Sequence, residues 1–161
     1  MTRTAAIQRA HAYFDAESGY WADLERRVSI PTECQIPKRL NMLYQYLENE
    51  MRPCFEDINY TCKIYDNPIE GMGPVLLATR IEDKSLPTLL GYGHGDVVRG
   101  QEGRWANNRD PWTLERDGDK VYGRGTADNK GQHSVHLGAL KAVIEERGRL
   151  GFNSKFIIEM G

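Results

Sequence analysis

The sequence is poor in cysteine, in long apolar runs and in surplus charge, and each shortage removes a class of protein. Its 161 residues include three cysteines, Cys34, Cys54 and Cys62, with no Cys-x-x-Cys pair. An odd, scattered set makes neither a disulfide framework nor a structural zinc site, so reduced, packed thiols in a cytoplasmic protein are expected. No stretch approaches the roughly 18 apolar residues that a membrane span needs. Met1 to Ser18 lack the apolar centre of a secretory signal, which also points to the cytoplasm. The formal net charge is -2, so no basic surplus draws the chain to nucleic acid. Neither nucleic acid nor a membrane is expected as a partner. Internal repeats and low-complexity tracts are missing as well.

What remains is the composition of a soluble globular domain, 40% hydrophobic and 27% charged. The length suits a single core. Thr4 to Val28 reads as helical, with a break at Ser18-Gly19, because Tyr20, Trp21, Leu24 and Val28 recur at helical spacing. Ile30-Pro31 stops the second piece, since the residue before a proline avoids the helical region. Lys38 to Met51 reads as another helix, ended by Pro53. The period then changes. Asn59–Tyr65, Val75–Ile81 and Thr88–Tyr92 are β-forming runs separated by turn residues, and Thr113–Arg116 with Lys120–Tyr122 flank Asp117-Gly118 as a hairpin. Asn129 to Arg147 reads as a helix stopped by Gly148, and Phe156-Ile157-Ile158 as a buried strand. This order predicts an α/β layered domain.

Two segments carry candidate chemistry. In Gly93-His94-Gly95-Asp96 an apolar strand runs into glycines, and two-residue spacing turns His94 and Asp96 to the same side. A metal-bound histidine usually donates its second ring N–H to an acceptor, often a carboxylate. His94 and Asp96 fit that pair, directly or through water; they equally fit a hydrogen-bonded strand-end histidine beside a solvated aspartate. The second segment is Gly123-Arg124-Gly125-Thr126-Ala127-Asp128-Asn129-Lys130-Gly131. A dinucleotide loop would need a third glycine where Asp128 stands, and a carboxylate there would repel a pyrophosphate. Asp128 reads either as a helix N-cap or as a carboxylate bridging two cations.

Taken together, Gly93-His94-Gly95-Asp96-Val97-Val98, Trp105, Asp110-Pro111-Trp112 and the segment 123–131 resemble the zinc-dependent aminoacylase and carboxypeptidase family. That family includes acetylornithine deacetylase, succinyl-diaminopimelate desuccinylase, carboxypeptidase G and several dipeptidases. The resemblance runs from Val28 to Met160. It implies an α/β fold with a layered mixed sheet flanked by helices, residues 1–161 being the N-terminal portion of the catalytic domain, with the dimerisation or lid domain absent. It implies His94 and Asp128 as metal ligands, Asp128 bridging both ions, and Asp96 as the catalytic-site aspartate that orients His94. The cofactor implied is two Zn2+, with Co2+ or Mn2+ as substitutes. The family's Glu-Glu pair, general base and ligand, would follow Gly161, and Glu159 lies too early in the motif to take either part. Arg99 stands where many members have proline, and Asn129 where methionine is common.

The implied function is hydrolysis of amide bonds in small peptides or N-acyl amino acids by a metal-activated water, in a homodimer, with the 161-residue chain alone inactive. The alternative is a non-catalytic fragment or pseudoenzyme that binds a metal or a partner. His133 and His136 share an apolar helical stripe with Leu137, Leu140 and Ile144, so both are expected to be satisfied core histidines and not a chelating pair. Trp105, Trp112 and Tyr122 are expected to pack and not to form a base-stacking platform.

Overall fold

A computed structural model describes residues 2–161, and the side chains of all of these except Glu17 and Ser18. Helix α1 (Arg3–Asp15) begins where the Thr2 hydroxyl accepts from the Ala5 amide, 3.2 Å away. Its continuation breaks at Gly19, whose backbone leaves the helical region. A side chain there would put its Cβ 2.1 Å from the Tyr13 carbonyl oxygen. Helix α2 (Ala22–Ser29) then runs to Ile30, which is extended before Pro31.

The next helical stretch is longer than expected. A 3-10 turn at Pro37–Arg39 leads into α3 (Leu40–Gln45), a π-helical segment at Tyr46–Met51 and α4 (Arg52–Glu56). Pro53 does not end it. The π-helical segment shifts the hydrogen-bond register, so Pro53 falls in the first turn of α4, where a missing N–H costs nothing.

Strands β1 (Thr61–Tyr65), β2 (Val75–Arg80) and β3 (Thr88–His94) are followed by the hairpin β4 (Glu115–Asp117) and β5 (Lys120–Tyr122). Helix α5 (Lys130–Arg147) stops at Gly148, whose left-handed φ of 71° suits glycine. Strand β6 (Asn153–Glu159) closes the described chain. The main sheet has the order β1-β2-β6-β3. β2 runs antiparallel to β1 and β6, whereas β3 and β6 are parallel and joined through α5. The sheet is therefore mixed and the domain α/β, as the family resemblance implied. Strand β6, holding Phe156–Ile158, lies inside it and is flanked by β2 and β3 of this same chain. Among the described residues, β1 and β3 are the edges.

One sheet face presents Leu76, Ala78, Phe156 and Ile158 to a core shared with Tyr46, Leu47, Met51, Phe55 and Leu137 of the helices. A smaller cluster of Tyr20, Leu24 and Val28 packs between the first helices. The register of β3 against β6 pairs His94 with Glu159 at the carboxyl ends of both strands. That end of a parallel pair is where α/β proteins gather functional groups.

Candidate metal centre

Strand β3 delivers His94 to the sheet's rim through two glycines that cannot be replaced without a clash. A Cβ on Gly93 would lie 2.9 Å from His133 Cβ, and one on Gly95 would lie 2.5 Å from the Tyr46 ring. The chain beyond is fixed by Val97, whose amide donates to the Thr32 carbonyl at 2.8 Å, and by the buried Glu33, which accepts from the Gly100 amide at 2.8 Å.

His94 stands between two carboxylates. Its Nδ1 is 3.1 Å from Asp96 Oδ1 and 3.2 Å from the Asp96 carbonyl oxygen. Its Nε2 is 3.0 Å from Asp128 Oδ1. The contact between His94 and Asp96 is thus direct. The Asp128 side chain is 83% exposed, against 15% for Asp96. Asp128 does not cap the helix: the N-cap of α5 is Asn129, which makes no capping bond through its side chain. The Asp128–Asn129 peptide bond is cis.

These three residues line one cavity of about 260 Å3, together with Val97, Arg124 and Thr126. A larger depression of about 710 Å3, lined in part by Arg80, Glu82 and Arg149, lies at the opposite end of β6. Its Glu82 is occupied in accepting the Leu150 and Gly151 amides.

Burial alone would lower the His94 pKa, but the Asp96 carboxylate, with help from Asp128, outweighs it and raises the ring above its ordinary value. Lys130, the first residue of α5, is buried, which pulls its pKa down to about 7, with Asp96 opposing.

Glu159, which no motif singled out, joins this group. One potential ligand atom from each of His94, Asp96 and Glu159 lies within 4.8 Å of the others. Its carboxylate accepts from the Tyr92 hydroxyl at 2.8 Å and from the Gly161 amide at 2.7 Å. The only sequence signal for it is an acid at the end of an apolar strand.

The two helical histidines part company. His133 is fully buried, as expected, with its Nε2 2.6 Å from the Tyr46 hydroxyl. Burial, and then the Arg27 and Lys130 charges, hold it well below the usual histidine range. His136 is not a core residue. It is exposed on α5, with its ring centroid 5.8 Å from that of Phe156, because the boundary of the apolar stripe falls between the two positions. The aromatic set is engaged in local contacts: Trp105 Nε1 donates to the Gly100 carbonyl, Trp112 Nε1 to Glu102, and Arg109 covers the Tyr122 ring at 3.8 Å.

Residues 90–161 match the sequence profile of peptidase family M20/M25/M40. Beta-Ala-His dipeptidase of Mus musculus is 39% identical over 87 residues, 53% of this chain and 17% of that protein. Acetylornithine deacetylase of Yersinia pseudotuberculosis is 32% identical over 140 residues, 87% of this chain and 28% of that protein. Among solved structures, human carnosine dipeptidase 1 superposes with a TM-score of 0.86 at 25% identity, covering 98% of this chain and 34% of that one. The dipeptidase Dug1p of Saccharomyces cerevisiae, at 21% identity, shares the fold with a TM-score of 0.79, covering 97% of this chain and 34% of that one. Residues 90–161 thus belong to the M20/M25/M40 peptidase family. The chain spans less than a third of the length of the curated relatives it matches.

Proposed function

We propose that the protein containing this chain hydrolyses the amide bond of small peptides or N-acyl amino acids with two divalent metal ions, zinc foremost. The observation that carries this reading is the line Asp96–His94–Asp128, in which one imidazole has a carboxylate within hydrogen-bond distance of each ring nitrogen. The donor set suits zinc: an imidazole nitrogen and a carboxylate oxygen 3.0 Å apart can share one ion at the roughly 2.0–2.2 Å of ordinary zinc bonds. Asp96 accepts a hydrogen bond from His94 Nδ1–H and so leaves the Nε2 lone pair directed toward Asp128. Asp128 offers two oxygens at an exposed position, as a bridging ligand must. Bound ions would supply an activated water and a polarised scissile carbonyl. The general base and the other ligands are proposed to lie in sequence outside these 161 residues, as is the domain that would make a homodimer. Three unpaired thiols support a cytoplasmic setting.

The test is to express the complete open reading frame, load it with zinc or cobalt, and assay a panel of dipeptides and N-acyl amino acids. Chelator-sensitive hydrolysis that Asp128→Ala abolishes is expected. A metal-loaded full-length protein inert toward the whole panel would favour the non-catalytic alternative.

A further inference from the structure

The buried pair Tyr46–His133 reaches the metal centre through one side chain. His133 Nδ1 is 3.3 Å from Asn129 Oδ1, and the same oxygen is 3.2 Å from the backbone nitrogen of His94. Asn129 Nδ2 donates to Gln132 Oε1 at 2.8 Å, which fixes the orientation of the carboxamide. A carboxamide oxygen only accepts, so His133 carries its proton on Nδ1, and its Nε2 accepts from the Tyr46 hydroxyl. The result is a continuous path: Tyr46 O–H to His133, His133 to Asn129 Oδ1, and His94 N–H to that same oxygen.

Asn129 follows Asp128 in the chain. One carboxamide thus ties the neighbour of one candidate ligand to the backbone of the other. Space for this tie depends on Gly93, where a Cβ would come within 3.1 Å of Asn129 Oδ1. We propose that His133 is a positioning residue: through Asn129 it holds the end of β3 against the start of α5, and so sets the approach of His94 to Asp128. The inference rests on the metal-site reading above. It differs from a plain core histidine in which ring nitrogen matters. A packing role needs the Tyr46 bond at Nε2; a positioning role needs the Asn129 bond at Nδ1.

Two substitutions separate the nitrogens. An asparagine amide lies near the place of Nδ1, and a glutamine amide near that of Nε2. Hydrogen exchange of the His94 amide is measured in the metal-free protein expressed from the complete open reading frame, with zinc titrations alongside. His133→Gln should speed His94 exchange about tenfold and weaken zinc binding by about 10–100-fold, while His133→Asn stays within about threefold of the parent in both. Parent-like exchange in His133→Gln, or equal damage in both variants, overturns the proposal. Should neither variant fold, the nitrogen-15 shifts of the parent imidazole decide: a proton on Nδ1 is expected, and one on Nε2 overturns it. Exchange rates judge the positioning role and zinc binding by the parent chain judges the metal reading, so the two failures are distinguishable.

Discussion

Lys130 Nζ donates to the carbonyl oxygen of Arg27 at 2.8 Å, across 103 positions of sequence. The same nitrogen donates to the Ile30 carbonyl at 2.7 Å. The first residue of α5 therefore satisfies carbonyls left open at the end of α2. Lys130→Met would strand both acceptors. We expect a loss of about 1–3 kcal/mol in urea unfolding; unchanged stability would mean that water or a small shift replaces the ammonium without cost.

Arg27 is the larger stake. It is 1% exposed, with Nε 3.1 Å from Glu50 Oε1 and further bonds to Ser134 and Cys54. Removing one partner of a buried pair leaves the other charge uncompensated. Arg27→Leu should cost about 3–5 kcal/mol by the same measurement, and a loss below about 1 kcal/mol would show that Arg26 alone satisfies Glu50.

At the site, Asp128→Ala should remove metal binding, measured by equilibrium dialysis against zinc, whereas His136→Ala should leave it within about twofold. The first variant loses an exposed side chain in contact with His94, and the second lies on the far edge of the α5 stripe. Zinc loss in a folded His136→Ala would reverse the assignment.

Thiol chemistry gives a pH prediction. Burial raises the Cys62 pKa to about 11, with Glu56 adding to it. At pH 8 its thiolate fraction, and so its alkylation rate, should be about a hundredfold below that of an ordinary thiol. Because the folded pKa lies above the unfolded one, stability from this group is complete below about pH 8.5 and is lost as pH rises through about 11. Rapid labelling at pH 8 without unfolding would contradict this.

Edge strand β3 exposes Leu89, Leu90 and Tyr92, by 54%, 65% and 56%. An apolar open edge invites pairing with another chain. The isolated 161-residue chain should show concentration-dependent light scattering that Leu90→Lys suppresses. A monomer at every concentration, with a sharp high-temperature melt, would show these residues to be self-sufficient.

Much of this molecule was legible in its sequence, because local rules act locally. The break at Gly19, the stop at Gly148 and the strand periods followed from backbone sterics and side-chain alternation, as did the hairpin, although its turn is Gly118-Asp119 and Asp117 pairs with Lys120 in the ladder. Pro53 escaped because a π-helical register shift is invisible in a list of residue types, and His136 because a stripe's edge depends on what packs against it. His94, Asp96 and Asp128 were marked out by motif.

By itself, then, the sequence determined which segments could be helix or strand, and which residue types could hold a metal. Only the tertiary structure decided that β3 and β6 run parallel in the register that sets Glu159 beside His94. It alone decided that Asp128 turns toward His94 and not into a cap, and that Asn129 joins a buried histidine to the strand end. Those choices belong to contacts between residues tens of positions apart, such as the 34 that separate His94 from Asp128. They are settled by packing against Tyr46, His133 and Lys130, which no local pattern encodes.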